Sequence, residues 1–157
     1  MSEIVYGCKA IKFGEPADTG VMPTVLTKLF DTYRDSVSFV EEDADFQDEF
    51  SDQQDDPIIS LGTKGVKTLK GSTFDWTPTV LQTLKGGTVV DGMWTEPAVM
   101  PVITKAVELE TDSGVIIRCS KWQVSAKLNM EIKKKNVALL EFTLKPLLPV
   151  SIGKPTP

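Results

Sequence analysis

From Lys121 to Ile132 the chain alternates without a break. Trp122, Val124, Ala126, Leu128, Met130 and Ile132 are apolar, and Lys121, Gln123, Ser125, Lys127, Asn129 and Glu131 are polar. A period of two places the two sets on opposite faces of a β-strand. Lys133-Lys134-Lys135-Asn136 follows as a polar turn, and residues 137–145 form a second run with Ala138, Leu140, Phe142 and Leu144 on its apolar face. Two such runs joined by a short polar turn predict a long antiparallel hairpin. Pro146 and Pro149 end it, because proline has no backbone donor for the ladder. Near the turn, Val137 and Leu139 make the other face of the second strand apolar too, before Glu141 and Thr143 restore polarity. A strand apolar on both faces is covered on both sides, by its own fold or by a neighbour. Val137 and Leu139 are therefore candidate inter-subunit contacts.

Upstream, residues 103–110 alternate through Ile103, Val107 and Leu109, with Lys105 breaking the apolar face once. Thr111-Asp112-Ser113-Gly114 supplies turn chemistry, and residues 115–119 return as a strand. This is a second hairpin feeding into the first. Residues 4–13 read as an N-terminal strand and residues 36–40 as another. One short helix is predicted over residues 77–85. Thr77 is placed to cap it, Pro78 suits the first helical position, Leu81 and Leu84 make an apolar stripe, and Gly86-Gly87 stop it. Residues 24–33 support two readings: Leu26, Leu29, Phe30 and Tyr33 have helical spacing, but Thr24, Val25, Thr27 and Thr32 favour extended chain.

Residues 43–57 hold too little apolar content for a core element and read as a long exposed acidic loop. Residues 14–23 and 88–101, rich in Gly and Pro, are further loops. The expectation is a single β domain over residues 1–150 and a flexible C-terminal tail over residues 151–157. Its fold class is mainly β: an antiparallel β-sandwich or half-barrel with one short flanking helix and a long acidic loop.

Charge sharpens this picture more than bulk composition does. Hydrophobic content of 41% and charged content of 25% are ordinary for a globular chain. The net charge of −5, however, is distributed unevenly. Between Asp35 and Thr63 there is no Lys or Arg, while Glu41, Glu42, Asp43, Asp45, Asp48, Glu49, Asp52, Asp55 and Asp56 crowd together. From Val115 onward Arg118, Lys121, Lys127, Lys133, Lys134, Lys135, Lys145 and Lys154 face only Glu131 and Glu141. Such asymmetry suits contact between one part of a subunit and the opposite part of another, or neutralisation within one subunit. The N-terminus lacks the features of a secretory signal, and no apolar run reaches the roughly 18 residues a bilayer demands, so folding in a cytosol is expected.

Candidate chemistry is sparse. The chain has no histidine, so Ser–His and Cys–His nucleophile pairs cannot be built from it. Phosphate-cradling Gly loops and a Cys-x-x-Cys pair are absent. Acidic residues are plentiful, but many lie in the loop, where no held carboxylate geometry is expected. The chain is read as non-enzymatic, with no cofactor and no metal. Asp43 and Asp45, or Asp52, Asp55 and Asp56, offer oxygen ligands, yet the EF-hand pattern is missing and a solvated loop is the plainer reading. Cys8 and Cys119 sit in apolar runs and read as small buried hydrophobes, a bridge between them being the alternative. Lys133, Lys134 and Lys135 read as a solubilising turn before a nucleic-acid patch, and Trp76, Trp94 and Trp122 as packing residues.

Several segments, in order, carry a resemblance. They are Leu-Phe-Asp-Thr-Tyr-Arg-Asp-Ser-Val-Ser-Phe-Val-Glu-Glu-Asp over residues 29–43, Lys-Gly-Val-Lys-Thr over 64–68 and Ser-Thr-Phe-Asp-Trp over 72–76. After them come Thr-Pro-Thr-Val-Leu-Gln-Thr-Leu-Lys-Gly-Gly over 77–87 and the two hairpins of residues 102–148. By element order the chain resembles the major tail tube proteins of long-tailed bacteriophages, a superfamily that includes the tubes of contractile injection machines.

The resemblance implies a structural subunit of six-membered rings that stack into a tube, with a lumen that conducts DNA during ejection. It implies location in the virion tail after assembly in the bacterial host cytoplasm. The implied partners are further copies of the chain, tail terminator, baseplate or tape-measure proteins, and DNA passing without specific contact; no membrane is involved. Asp43, Asp45, Asp48, Glu49, Asp52, Asp55 and Asp56 then belong to a candidate inter-subunit loop. By alternation alone, Gln123, Ser125, Lys127, Asn129, Glu141 and Thr143 are candidate lumen-facing residues. An acidic wall would let DNA slide, and Lys127 already departs from one. The alternative is a monomeric or dimeric β-barrel or sandwich binding module for a small ligand or protein partner.

Overall fold

The computed structural model describes residues 3–155, which contain twelve strands and one helix. In chain order these are β1 (Cys8–Gly14), β2 (Thr27–Lys28), β3 (Ser38–Glu41), β4 (Asp45–Glu49), β5 (Ile59–Thr63) and β6 (Lys67–Thr73). Then come α1 (Pro78–Lys85), β7 (Thr88–Val90), β8 (Met93–Thr95), β9 (Ile103–Thr111), β10 (Ile116–Asn129), β11 (Leu139–Pro146) and β12 (Ser151–Gly153). Eight strands form one antiparallel sheet in the order β2-β1-β9-β10-β11-β6-β3, with β12 pairing the first part of β10 beyond the end of β11. The sheet is open, not a closed barrel. This is the mainly β, antiparallel architecture with one short helix that the alternation predicts.

The central strand β10 joins two runs that read separately in the sequence. Val115, Ile117 and Cys119 are buried at odd positions, whereas Trp122, Val124 and Ala126 face the core at even ones. A β-bulge between Cys119 and Trp122 shifts the register against β9 and changes the parity without breaking the strand. The extra residue is secured from outside the ladder. Ser120 donates its hydroxyl to the Ala17 carbonyl at 2.9 Å, and the Ala17 amide donates back to the Ser120 carbonyl at 3.0 Å. The predicted separate hairpins are thus one three-stranded meander, β9-β10-β11.

The core fills the concave side of the sheet. Ile11, Phe13, Leu69, Val107, Leu109, Ile117, Trp122, Val124, Leu140, Phe142 and Leu144 converge there with Val80, Leu81 and Leu84 of α1. Phe30 bridges the sheet, its ring 5.7 Å from Phe13 and 5.3 Å from Phe142. The chain around Phe30 is extended, with β2 at residues 27–28 and a bridge from Thr32 to Thr73, which settles residues 24–33 against a helix. Helix α1 starts and stops as predicted, with Pro78 in the first turn and Gly86 at a φ of 76°. Thr77 makes no side-chain cap bond. Its hydroxyl instead donates to Asp75 Oδ1, which also accepts the Thr77 amide.

Three loop expectations need correction. Residues 43–57 are not wholly loop, because Asp45–Glu49 pairs with Ile59–Thr63 as a hairpin whose strand residues are all exposed. Residues 88–101 contain the small hairpin β7–β8, whose Trp94 donates to the Gly86 carbonyl at 2.7 Å. Ser151–Gly153 is a strand on β10, so this part of the expected tail is held by backbone bonds; residues 156 and 157 lie outside the described residues.

Candidate functional site

The polar residues of the β10–β11 hairpin share one face, as their spacing requires. Ser125 stands opposite Thr143, Lys127 opposite Glu141 and Gln123 opposite Lys145, all on the convex side away from the core. Lys127 meets Glu141 at 3.2 Å, and the Asn129 amide donates to Glu141 at 3.1 Å. These two hydrogen bonds to its charged form hold the Glu141 carboxyl below the usual carboxylate range. The register carries this face across the sheet through Lys70 and Ser38 on one side and Arg118, Glu108, Glu110, Lys12 and Lys28 on the other. Burial raises the Glu110 carboxyl, but Lys12 and Lys9 outweigh it and hold the group low. The convex face thus mixes signs, with Lys70 and Lys145 outside any ion pair among the described residues. It is not an acidic wall.

The second surface is the β4–β5 hairpin. Asp43 lies on its approach, Asp45, Asp48 and Glu49 on β4, and Asp52, Asp55 and Asp56 in the turn, all exposed. None of these seven makes an ion pair, and no three converge as a cation site, among the described residues. The hairpin is also apolar, which its acidity hides in the sequence. Phe46, Phe50, Ile58 and Leu61 each leave more than half of their surface in water. Phe46 lies over Gly62 on the opposite strand, where a β-carbon would stand 2.8 Å from the ring. A two-stranded hairpin is marginal alone in water, so exposed apolar groups on both faces mark a surface that gains from being covered. The available sequence signal is the run Ile58-Ile59-Ser60-Leu61 after Pro57.

The third surface is the tip of the β10–β11 hairpin, residues 130–138. The turn is longer than predicted because the ladder ends at Asn129 and Leu139. Leu128, Met130, Ile132 and Val137 are exposed there, Ile132 at 87%, so the expected core face of the strand reaches only as far as Ala126. Of the two candidate contacts, Val137 is exposed and Leu139, opposite Asn129, is half-buried. Trp76 anchors the returning limb by donating its indole N–H to the Ala138 carbonyl at 2.9 Å. Lys133 pairs with Glu131 at 3.5 Å, while Lys134 and Lys135 have no ion pair among the described residues.

Both cysteines are free thiols, Cys119 buried and Cys8 half-buried, and burial pushes the Cys8 thiol up. A cleft of about 690 Å³ opens beside Cys8, lined by Tyr6, Tyr33, Phe39 and Ile117 among others. No helix among the described residues is long and apolar enough to cross a membrane. No protein-family model matches the chain, and no curated protein matches its sequence.

Proposed function

We propose that this chain is a structural subunit of a phage tail tube, self-assembling into stacked hexameric rings whose lumen conducts DNA. The observation that carries the reading is the β4–β5 hairpin. It spends a pair of strands and several large apolar side chains on a surface that nothing in its own subunit covers. A lone chain leaves such a surface in water, whereas one that stacks covers it on assembly. The sheet also ends in two open edges, the short strands β2 and β3, and ring closure gives edge strands a partner. The element order that resembles tail tube proteins supports the same reading. In it the subunit acts as a non-catalytic building block. The convex face, with Gln123, Ser125, Lys127, Asn129, Glu141 and Thr143, is the proposed lumen wall. Its lysines are partly neutralised by neighbouring carboxylates, which limits their hold on phosphates.

Negative-stain microscopy of the concentrated protein tests this directly. Rings of six or tubes of constant bore are the expected result. A monomer by light scattering at every concentration and salt, with no ring in the images, overturns it.

A further inference from the structure

The strand register gives the subunit two opposite poles. Hairpin β4–β5 leaves the sheet at Glu41 of β3 and Lys67 of β6, which face one another. At the other end of β6, Thr73 stands opposite Leu140, which stands opposite Leu128, and the β10–β11 hairpin runs on past that level into its tip at residues 130–138. The two projections therefore leave opposite ends of β6, whose length separates their roots by roughly 20 Å. Their charges are opposite as well. The acidic hairpin carries Asp52, Asp55 and Asp56 in its turn, and the tip carries Lys133, Lys134 and Lys135. Each also exposes large apolar side chains, Phe46 and Phe50 at one pole and Met130 and Ile132 at the other.

Opposite signs at opposite ends cannot meet within one subunit without bending the sheet that separates them. They meet without strain between two subunits placed head to tail. Each pole also holds what the other needs: exposed apolar groups to exclude water, and charges that fix orientation and reject like poles. Such a contact is heterologous, leaves a free pole at each end, and propagates.

We propose that the acidic β4–β5 hairpin of one copy docks on the Lys133–Lys135 tip of a second copy, forming the axial contact of the assembly. This deepens the tube reading and rests on it for the rings. The occupant is another copy of this chain because the two surfaces are complementary in charge and oppositely placed on the same sheet.

Charge reversal tests the pairing. One variant carries K133E, K134E and K135E, a second carries D52K, D55K and D56K, and a third carries all six. Sedimentation velocity and negative staining read their stacking. Like charges facing one another should raise the concentration needed for stacking by at least about tenfold in the first two variants. The six-fold variant should stack like the wild type, and so should an equimolar mixture of the first two. Wild-type rings with stacking unchanged in every variant overturn this pairing and leave the tube reading standing. Head-to-tail chains without rings, rescued in the six-fold variant, support the pairing and overturn the tube. Monomers at all concentrations overturn both.

Discussion

The rings of Phe39 and Trp122 lie 5.9 Å apart, centroid to centroid, although strands β6 and β11 stand between theirs in the sheet. In a flat sheet three strand spacings would hold them about 14 Å apart. The contact therefore measures how far the sheet curls, and Trp122 is the post it curls around. Its indole N–H is shared between the carbonyls of Cys119 at 3.0 Å and Val107 at 3.2 Å, so the bulge and the curl are secured by one side chain.

Trp122→Ala should lower the free energy of unfolding by about 3–5 kcal/mol, as for other fully buried aromatics. Phe39→Ala should cost less in the Trp122→Ala background than alone, with a coupling of about 0.5–1.5 kcal/mol. A urea-denaturation cycle with the two effects simply additive would mean that the ring contact contributes nothing beyond burial.

Gly71 lies opposite Phe142 in the β6–β11 ladder, and a β-carbon there would stand 2.6 Å from the Phe142 ring and 3.2 Å from Val37. Phe142 is enclosed by the Phe30 ring and cannot swing away freely. Gly71→Ala should destabilise by about 1–3 kcal/mol through overpacking. A melting temperature equal to the wild type would show that the ring has room to move.

Replacing Asp45–Thr63 with a short Gly-Ser linker should leave folding intact. The Glu42 amide donates to the Val66 carbonyl at 3.0 Å just below the hairpin, so its root stays closed. Because every strand residue in the hairpin is exposed, the melting temperature should move by no more than about 2–4 °C. Loss of a cooperative transition by calorimetry would place the hairpin in the folding unit.

Glu141 should make part of the stability pH-dependent. Lys127 and Asn129 lower its carboxyl in the folded chain, so its contribution is present above the ordinary carboxylate range near about 4.3 and is lost as pH falls through the depressed folded value. Wild type should therefore exceed Glu141→Gln most at neutral pH and converge with it in acid. A gap that is constant from neutral to strongly acid pH would show that the carboxylate charge is not the cause.

Val137 and Leu139 should separate folding from assembly. Val137→Asp, on the exposed tip, should change stability by no more than about 0.5 kcal/mol while weakening association in sedimentation velocity. Leu139→Asp places a carboxylate on a half-buried site in β11 and should cost about 1–3 kcal/mol as well as association. Full association by Val137→Asp would remove the tip from the interface.

Local rules in the sequence marked the three long strands of the meander and the helix. Period-two alternation marked β9, β10 and β11, because a side chain's face follows from its parity alone, and Pro78 with Gly86-Gly87 bounded α1 through their backbone preferences. The convex-face grouping of Ser125, Lys127, Glu141 and Thr143 was legible for the same reason. What tertiary structure alone decided are matters of pairing between distant segments. The bulge at Ser120 depends on Ala17, roughly a hundred residues earlier in the chain. Hairpin β4–β5 forms because β3 and β6 bring its ends together, which no acidic run announces. Burial of the alternating face of β10 stops at Ala126, although Leu128, Met130 and Ile132 continue the pattern unchanged. The opening hairpin's apolar stripe is thus part core and part exposed tip: parity assigns a face, but only the neighbours determine what covers it.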